Sequence, residues 1–423
     1  MNSMERLRIL FLTSRFPFPP LRGDQVRAYH QIRILSRRHD VTLLAVSAAA
    51  PAPEARAHMA SLCPEVVVEP LTAARALRGL AGIALGDPRP VQTLLYAAAG
   101  EGRVAAMIAA GGFDVVHAQL VRAAGWVPRA RGVPLVIDLV DTLSASYRRR
   151  AILEPGWKRW ALVREAARLA RYESFLLAAA DRCVVVSEAE REALGAAGAG
   201  AVVDPNGIDL EAFPFVPARA VPARVVFVGN LGYAPNADGI VWFAHHVLAE
   251  LRRRCPGAEL LIVGPRAPRA VRRLADVAGV RVLGVVSDVH GALRNARVAV
   301  APLRTGGGIQ NKVLEAMAAG TPVVATSRAV AGIAARAGEH CLVADDPAAF
   351  AAAVAALLGD ADLGARIAAA ARALVAQRYS WERSVADLED VYQQVRRPTG
   401  EARPAADDDA PEPRAHAAAA PRP

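Results

Sequence analysis

The sequence predicts an α/β protein with two doubly wound parallel sheets, on the basis of three observations. Strand-like apolar stretches alternate with helix-like stretches over almost the whole length, which is typical of parallel sheets covered by helices. The 423 residues are too many for one core and suit two domains. A proline-containing segment, residues 204–221, is typical of an interdomain linker. We therefore expect two Rossmann-like domains that face a central cleft.

Residues 1–205 form the predicted N-terminal, acceptor-side domain. Its predicted strands are residues 8–13, 41–46, 115–116, 135–137 and 182–186. A proline-rich loop joins the first strand to a helix, and Gly23 ends that loop. Because glycine lets a ligand come close to the backbone, we expect Gly23 to contact substrate. A plain turn glycine is the alternative.

Residues 206–380 form the predicted C-terminal, nucleotide-binding domain. Its predicted strands are residues 224–228, 259–263, 280–283, 297–301 and 322–325, with helices near 237–253, 268–277, 310–319 and 347–378. We expect residues 381–397 to form a helix that crosses back to the first domain. Residues 398–423 lack periodicity and predict a disordered tail. Ligands of such sheets bind at the carboxyl ends of the strands, so function is expected in the strand-to-helix loops.

Composition excludes several classes of protein. No apolar run reaches the length of a membrane span, and no leader-like segment opens the sequence, so we expect a cytoplasmic protein. Four scattered cysteines and no close set of His, Asp and Glu predict no metal and no cofactor. The net charge of +10 favours an anionic partner. The sequence has no aromatic-basic motif, so nucleic acid is not expected.

The segment 301–325 carries the most informative pattern. A strand leads to three glycines and then to a helix that begins with polar residues: Gly306, Gly307, Gly308, Asn311, Lys312 and Glu315. Backbone N–H groups of such a loop and helix start can hold a diphosphate. Lys312, one of only two lysines in an arginine-rich chain, shares a helix face with Glu315, which can accept hydrogen bonds from a ribose. A tight turn beside a solvated Lys–Glu pair is the alternative.

These residues resemble the GT4-type retaining glycosyltransferases of GT-B fold. That family's signature reads Lys-x-Leu-Glu-Ala-Met-Ala-x-Gly-x-Pro-Val-Val-Ala, as do residues 312–325 here. Two further segments are similar to family motifs. They are residues 113–117, which read Phe-Asp-Val-Val-His, and residues 205–209, which read Pro-Asn-Gly-Ile-Asp. The N-terminal region resembles sugar transferases of bacterial exopolysaccharide systems. The resemblance implies sugar transfer from a nucleotide diphosphate-sugar to a hydroxyl acceptor, with retention, in exopolysaccharide or glycolipid biosynthesis.

The candidate site combines residue chemistry with this resemblance. We expect Lys312, the three glycines and His117 to serve catalysis. We expect the donor or acceptor to be bound by Gly23, Asn230, Asn311, Glu315 and Arg304. Asn230 stands where the family has a diphosphate-binding arginine, and Gly307 where it has a first glutamate, so Arg304 or Arg266 would assist Lys312. For His117, which ends a predicted strand, a satisfied core histidine is the alternative.

Rival functions share parts of this pattern. A nucleotide-sugar epimerase of GT-B fold or a non-catalytic nucleotide-binding scaffold would keep the same phosphate site. A nicotinamide dehydrogenase is disfavoured because no Gly-x-Gly-x-x-Gly follows the first strand, and a P-loop NTPase is excluded by its missing motif.

A basic segment predicts that the acceptor lies at a membrane surface. Residues 146–171 carry eight basic and two acidic side chains, a net of +6, with Trp157 and Trp160 among them. Cationic helices with tryptophan suit the headgroup layer of an anionic membrane, where a saccharide or lipid-linked saccharide acceptor would lie. The alternative is a solvated arginine-rich helix whose tryptophans belong to the core.

Overall fold

The computed structural model describes residues 5–152, 154–216, 223–305 and 309–396. Gly306, Gly307, Gly308 and the predicted tail at 398–423 lie outside the described residues. The chain divides into two compact units. One contains the residues up to Asp204 together with those from Val385 onward, and the other is Pro205–Ser384.

The first unit is built on a parallel sheet. Its strands are β1 (Arg8–Thr13), β2 (Asp40–Ser47), β3 (Glu65–Pro70), β4 (Val115–Gln119), β5 (Leu135–Asp138), β6 (Arg182–Val185) and β7 (Val202–Val203). Within the described residues these seven strands lie in the order β3-β2-β1-β4-β5-β6-β7, and every pair is parallel. Ile9 to Leu12 of β1 are 0% exposed because helices cover both faces of the sheet.

Helices follow the strands of this unit. They are α1 (Gly23–Leu35), α2 (Pro53–Leu62), α3 (Ala73–Ala84), α4 (Val91–Ala110), α5 (Leu120–Ala124), α6 (Leu143–Ile152), α7 (Gly156–Ala179) and α8 (Glu188–Ala193), with a 3₁₀ turn at Gly195–Gly198. Because α1 follows the loop after β1, it begins at the carboxyl edge of the sheet. The order of the strands reverses between β1 and β4, the place where doubly wound sheets open a crevice.

The second unit repeats the plan. Its strands are β8 (Arg224–Val228), β9 (Glu259–Val263), β10 (Val280–Gly284), β11 (Val298–Ala301), β12 (Val323–Ala325) and β13 (Leu342–Val343). In the described part of this unit the six strands lie in the order β10-β9-β8-β11-β12-β13, all parallel. Alternate side chains of β8 enter opposite apolar clusters, Val225 and Phe227 on one face and Val226 on the other. The predicted class of two doubly wound parallel sheets is confirmed.

The helices of the second unit differ from the prediction in several places. They are α9 (Ala234–Trp242), α10 (Leu248–Arg254), α11 (Arg269–Arg272), α12 (Val289–Arg294), α13 (Asn311–Ala319), α14 (Ser327–Val330), α15 (Pro347–Gly359), α16 (Ala361–Arg378) and α17 (Trp381–Val395). Two short helices, α12 and α14, are among the differences, since the sequence did not predict them. A π turn at Phe243–Val247 separates α9 from α10, where the sequence predicted one helix, and a 3₁₀ turn, Arg273–Asp276, follows α11. Helix α17 begins in the second unit, and from Val385 its residues belong to the first.

No single helix in the described residues is long and apolar enough to cross a bilayer. In the same residues, α15 and α16 together reach that length and composition, but they meet at 101°. Phe350, Val354 and Ile367 of this pair are at most 1% exposed and belong to the core of the second unit.

Candidate active site

The phosphate-binding segment lies at the switch point of the second sheet. Strands β8 and β11 are neighbours there, and the loops that follow them leave the same carboxyl edge. The loop after β8 begins at Gly229, and the loop after β11 leads to α13, whose second residue is Lys312. The fold therefore places the start of α13 where open parallel sheets bind ligands.

The side chain of Lys312 reaches the loop after β8. A Cβ atom on Gly229 would lie 3.1 Å from Lys312 Cε and 3.1 Å from Asn236 Nδ2. Both distances are tighter than an ordinary van der Waals contact, so a larger residue at this position would require the lysine or Asn236 to shift. Lys312 therefore packs closely on Gly229, with little room for a larger residue at that position.

Burial sets the charge state of Lys312. Its Nζ donates to Oε1 of the buried Gln310 at 2.9 Å. Burial lowers the pKa of the ammonium to about 8, and the opposing charge of Glu315 only partly offsets this effect. Burial likewise raises the pKa of Glu315. The pair is half-buried, which argues against the alternative of a solvated Lys–Glu pair.

No side chain caps the start of α13 within the described residues. Gln310 precedes the helix in the capping position. Asn311 is exposed at the first helical position. Free N–H groups at a helix start attract anions, and Lys312 adds a positive charge beside them. Gly306, Gly307 and Gly308 lie outside the described residues, so their predicted role stays a prediction.

Two more predicted residues flank this position. Asn230 is exposed; its side-chain oxygen accepts from the Gly232 N–H at 3.0 Å, which fixes the loop after β8. Arg304 lies on the loop after β11, and its Nε is 3.2 Å from a carboxylate oxygen of Asp238 on α9. The structure thus brings Lys312, Asn230 and Arg304 to the loops of one switch point.

Gly23 in the first unit has no steric reason to be glycine. It is exposed at the first position of α1, and a Cβ there would meet nothing within 4 Å among the described residues. Its φ is not in the left-handed region that favours glycine. The structure therefore leaves both alternatives for Gly23 standing, and contact with substrate stays a prediction.

His117 does not end its strand, which is a correction to the sequence analysis. Strand β4 continues to Gln119, so His117 points into the core, where it is 0% exposed. Its ring stacks on Phe11, with ring centres 4.2 Å apart, and its Nδ1 lies 2.9 Å from the Tyr392 hydroxyl. Burial lowers its pKa to about 4, which keeps the ring neutral. This is the environment of a core histidine, and a catalytic role stays a prediction.

A buried ion-pair network lies beside His117. Arg27 is fully buried, with Nε 2.6 Å from an Asp138 oxygen and Nη2 2.8 Å from an Asp204 oxygen. Burial alone would lower the pKa of the guanidinium, but the two carboxylates outweigh it and raise the pKa. Asp138 is thus a buried partner of Arg27.

Sequence reasoning missed the residues that shape the lysine's surroundings. Gln310 accepts a hydrogen bond from Lys312, and Gly229 and Asn236 lie beside its end, yet the three residues come from two loops and the helix α9. A glycine directly after a strand is the one signal in the sequence that could have indicated Gly229.

Two units with doubly wound parallel sheets make up the described chain, and the second has Lys312 at its switch point. Comparison with known proteins gives the family. Residues 22–212 match the family described as Glycosyltransferase Family 4, and residues 222–360 match Glycosyl transferases group 1. The chain belongs to the family 4 glycosyltransferases, and it is a glycosyltransferase of the GT-B fold.

Individual relatives agree with this assignment. A D-inositol 3-phosphate glycosyltransferase of Xylanimonas cellulosilytica is 31% identical over 335 residues, 68% of this chain and 74% of the relative. A phosphatidyl-myo-inositol mannosyltransferase of Mycobacterium leprae is 29% identical over 318 residues, 72% of this chain and 80% of the relative.

Solved structures confirm the fold. Anabaena HepE in complex with UDP and glucose has a TM-score of 0.62 at 17% identity, covering 92% of this chain and 100% of its own. Sucrose-phosphate synthase from Thermosynechococcus elongatus has a TM-score of 0.64 at 19% identity, covering 92% and 98%. The epimerase and scaffold alternatives are not favoured by these comparisons.

Proposed function

We propose that this glycosyltransferase takes its sugar from a nucleoside diphosphate-sugar whose diphosphate binds at the start of α13. The observation that carries this proposal is Lys312, a desolvated cation packed on Gly229 at the switch point of the second sheet. Glu315 only partly balances the positive charge of Lys312, and a bound diphosphate would supply the remaining negative charge. The HepE structure contains UDP, which supports a nucleoside diphosphate as the ligand class.

Catalysis at this site is electrostatic. When the bond between sugar and diphosphate breaks, negative charge grows on the departing phosphate oxygen. The ammonium of Lys312 and the N–H groups at the start of α13 stabilise that charge from fixed positions. The side chains described here include no group of three or more His, Cys, Asp and Glu placed to hold a metal ion. We propose retention of anomeric configuration, in keeping with the family resemblance.

Glu315 is the proposed ribose contact. It lies one helical turn from Lys312 on the same face of α13, with its carboxylate half-buried. A buried carboxylate needs hydrogen-bond donors, and two ribose hydroxyl groups supply them. This contact would orient the nucleoside while Lys312 holds the phosphates.

The acceptor is proposed to bind to the first unit. A cavity of about 530 Å³ opens between the loop after β1 and the end of β2. Its walls include the aromatic side chains Phe16, Phe18 and Tyr96 together with the guanidinium groups of Arg15 and Arg22. This volume lies within the usual range for small-molecule sites. Aromatic rings and exposed arginines suit a saccharide or cyclitol that carries a phosphate.

The names of two relatives support this acceptor class, since each contains an inositol that carries phosphate. We therefore propose a hydroxyl of a phosphate-bearing sugar or inositol headgroup as the acceptor, in glycolipid or exopolysaccharide biosynthesis. Arg22 is the better candidate for the phosphate, because Arg15 already pairs with Asp24.

The test is transfer by the purified full-length chain, with a panel of nucleotide-sugars and with myo-inositol phosphate or phosphatidylinositol as acceptor. Acceptor-dependent release of nucleoside diphosphate is expected. Lys312→Ala should lower the rate roughly 100- to 1000-fold, because removal of one preorganised charge costs about 2.7–4 kcal/mol of transition-state stabilisation. Arg294→Ala, an exposed change on α12, is the matched control and should transfer at the normal rate.

Two results would overturn the proposal. Near-normal turnover by Lys312→Ala would remove the diphosphate assignment. Epimerised nucleotide-sugar without any acceptor would show the rival activity. For the acceptor site, Arg22→Gln should raise KM for the phosphorylated acceptor and leave KM for the donor unchanged.

A further inference from the structure

The hairpin of α6 and α7 has an end that the rest of the unit does not cover. The buried residues of α7 begin at Ala166, and residues 156–160 at its start are all exposed. On α6, Arg148, Arg149 and Arg150 are exposed near the other side of the turn. We call residues 148–152 and 154–164 the hairpin tip.

Large apolar side chains of the hairpin tip face solvent. They are Ile152 at 76%, Trp157 at 76%, Trp160 at 64% and Val163 at 51% exposure. The other three tryptophans of the chain are at most 9% exposed. The alternative that Trp157 and Trp160 belong to the core is therefore wrong. A concentration of exposed apolar groups on one short segment marks an interaction surface.

The geometry of α7 sets this surface apart from the core. Ala166 and Leu169 lie on the face that packs into the unit. At 100° per residue, Trp160 points directly away from Leu169, and Val163 lies between those two directions. The guanidinium of Arg164 lies 5.4 Å from the centre of the Trp160 ring, so a cation and an aromatic ring share that face.

The charge of the hairpin tip identifies its partner. Six basic side chains accompany one acidic side chain, Glu154: Arg148, Arg149, Arg150, Lys158, Arg159 and Arg164. Such a surface repels a second copy of itself, so a symmetric dimer through this face would bring like charges together. Tryptophan rings combined with a cationic surround match the interface of an anionic bilayer, where rings insert among headgroups and cations meet lipid phosphates.

An adjoining loop adds to the apolar surface. The start of α4 packs beside α7, because the main-chain N–H of Val91 donates to Glu165 at 2.7 Å. Leu85, in the connection between α3 and α4, is 87% exposed. Two independent segments of the first unit therefore offer apolar side chains to solvent around α7.

We propose that the hairpin tip docks the first unit onto an anionic lipid surface, with Trp157 and Trp160 inserted among the headgroups. Docking does not depend on the sugar-transfer reaction, so its test can fail while the proposed function holds. It would bring a lipid-borne acceptor to the first unit.

The experiment is co-sedimentation of the full-length chain with two vesicle types, phosphatidylcholine alone and phosphatidylcholine mixed with phosphatidylglycerol. Binding is expected only to the anionic vesicles and should weaken as salt rises. The first variant combines Arg148→Glu, Arg149→Glu and Arg150→Glu. It should bind about 100-fold more weakly or worse, since each basic residue near an anionic surface contributes to the binding free energy. The matched control reverses three exposed arginines of the second unit, Arg273, Arg294 and Arg366, and should bind like the unchanged protein.

Tryptophan fluorescence locates the contact. Because the other three tryptophans are buried, a shift of emission to shorter wavelength on vesicle addition reports Trp157 and Trp160. The shift should vanish in the Trp157→Phe, Trp160→Phe variant. Equal binding to neutral vesicles, no binding, an unshifted emission, or a dimer in solution that Trp157→Ala with Trp160→Ala dissociates would each overturn the proposal. UDP affinity without lipid should stay unchanged in all these variants.

Discussion

The two units hold a buried cation in opposite ways. In the first, Arg27 lies against Asp138 and Asp204 and its pKa is raised. In the second, burial outweighs the charge of Glu315, and the pKa of Lys312 falls to about 8. A cation balanced by carboxylates of its own chain belongs to the scaffold. A cation left short of negative charge is suited to an anionic ligand.

The largest effect on stability is expected from Arg27→Met. The change leaves two buried carboxylates without their cation, and breaking a buried ion pair from one side costs about 3–5 kcal/mol. Denaturant unfolding followed by circular dichroism would measure the loss. A change of less than about 1 kcal/mol in the free energy of unfolding would contradict the structural role of Arg27.

Lys312→Met should have the opposite sign. A desolvated ammonium destabilises the folded state below its unfolded-state pKa, so its removal should add about 1–3 kcal/mol at pH 7. The gain should shrink as pH rises above about 8, because the lysine of the unchanged protein then loses its charge in the folded state. It should vanish near pH 10.5, the ordinary pKa of a lysine side chain in the unfolded chain. A destabilised variant at pH 7 would contradict the view of Lys312 as an unbalanced charge.

Glu315→Gln tests the division of roles on α13. Loss of a charge-assisted bond to ribose should weaken nucleoside diphosphate binding about tenfold. Inorganic pyrophosphate has no ribose, so its affinity should not fall. Isothermal titration of both ligands separates the two effects, and an equal loss for both would remove the ribose assignment.

The smallest effect is expected from Tyr392→Phe. The change removes the hydroxyl that meets Nδ1 of His117 and should cost about 1 kcal/mol of stability. Turnover should stay close to normal, because His117 has no exposed face. A large drop in kcat with unchanged stability would instead support the predicted catalytic role of this histidine.

Much of the fold was predictable because the buried strands are continuous apolar runs. Strand β1 begins and ends where the sequence indicated. Strand β3 was missed because only three valines lie between two glutamates, and its side chains are half-buried or exposed at the edge of the sheet. Strands β7 and β13 have two residues each, too few for any periodicity. Edge strands depend on pairing with neighbours, which a local pattern does not show.

The site was predictable in type and less so in geometry. Lys312 was indicated by its rarity and by the family motif, both visible in the sequence. Its contact with Gly229 depends on two loops that the sheet brings together from distant parts of the chain. The position of His117 was predicted less well. The sequence indicated that His117 ends its strand, but β4 continues for two more residues, so His117 lies in the core.

Proton uptake on binding of UDP tests most directly whether Lys312 binds an anionic ligand. At pH 9 a lysine with a pKa of about 8 is mostly neutral in the free protein, and a bound diphosphate should return its charge. Titration of UDP in two buffers of different ionisation enthalpy should show uptake of nearly one proton at pH 9, with affinity about fivefold weaker than at pH 8. Lys312→Met should show no such uptake. Binding of UDP at pH 9 without proton uptake, or with the same uptake in Lys312→Met, would contradict the account.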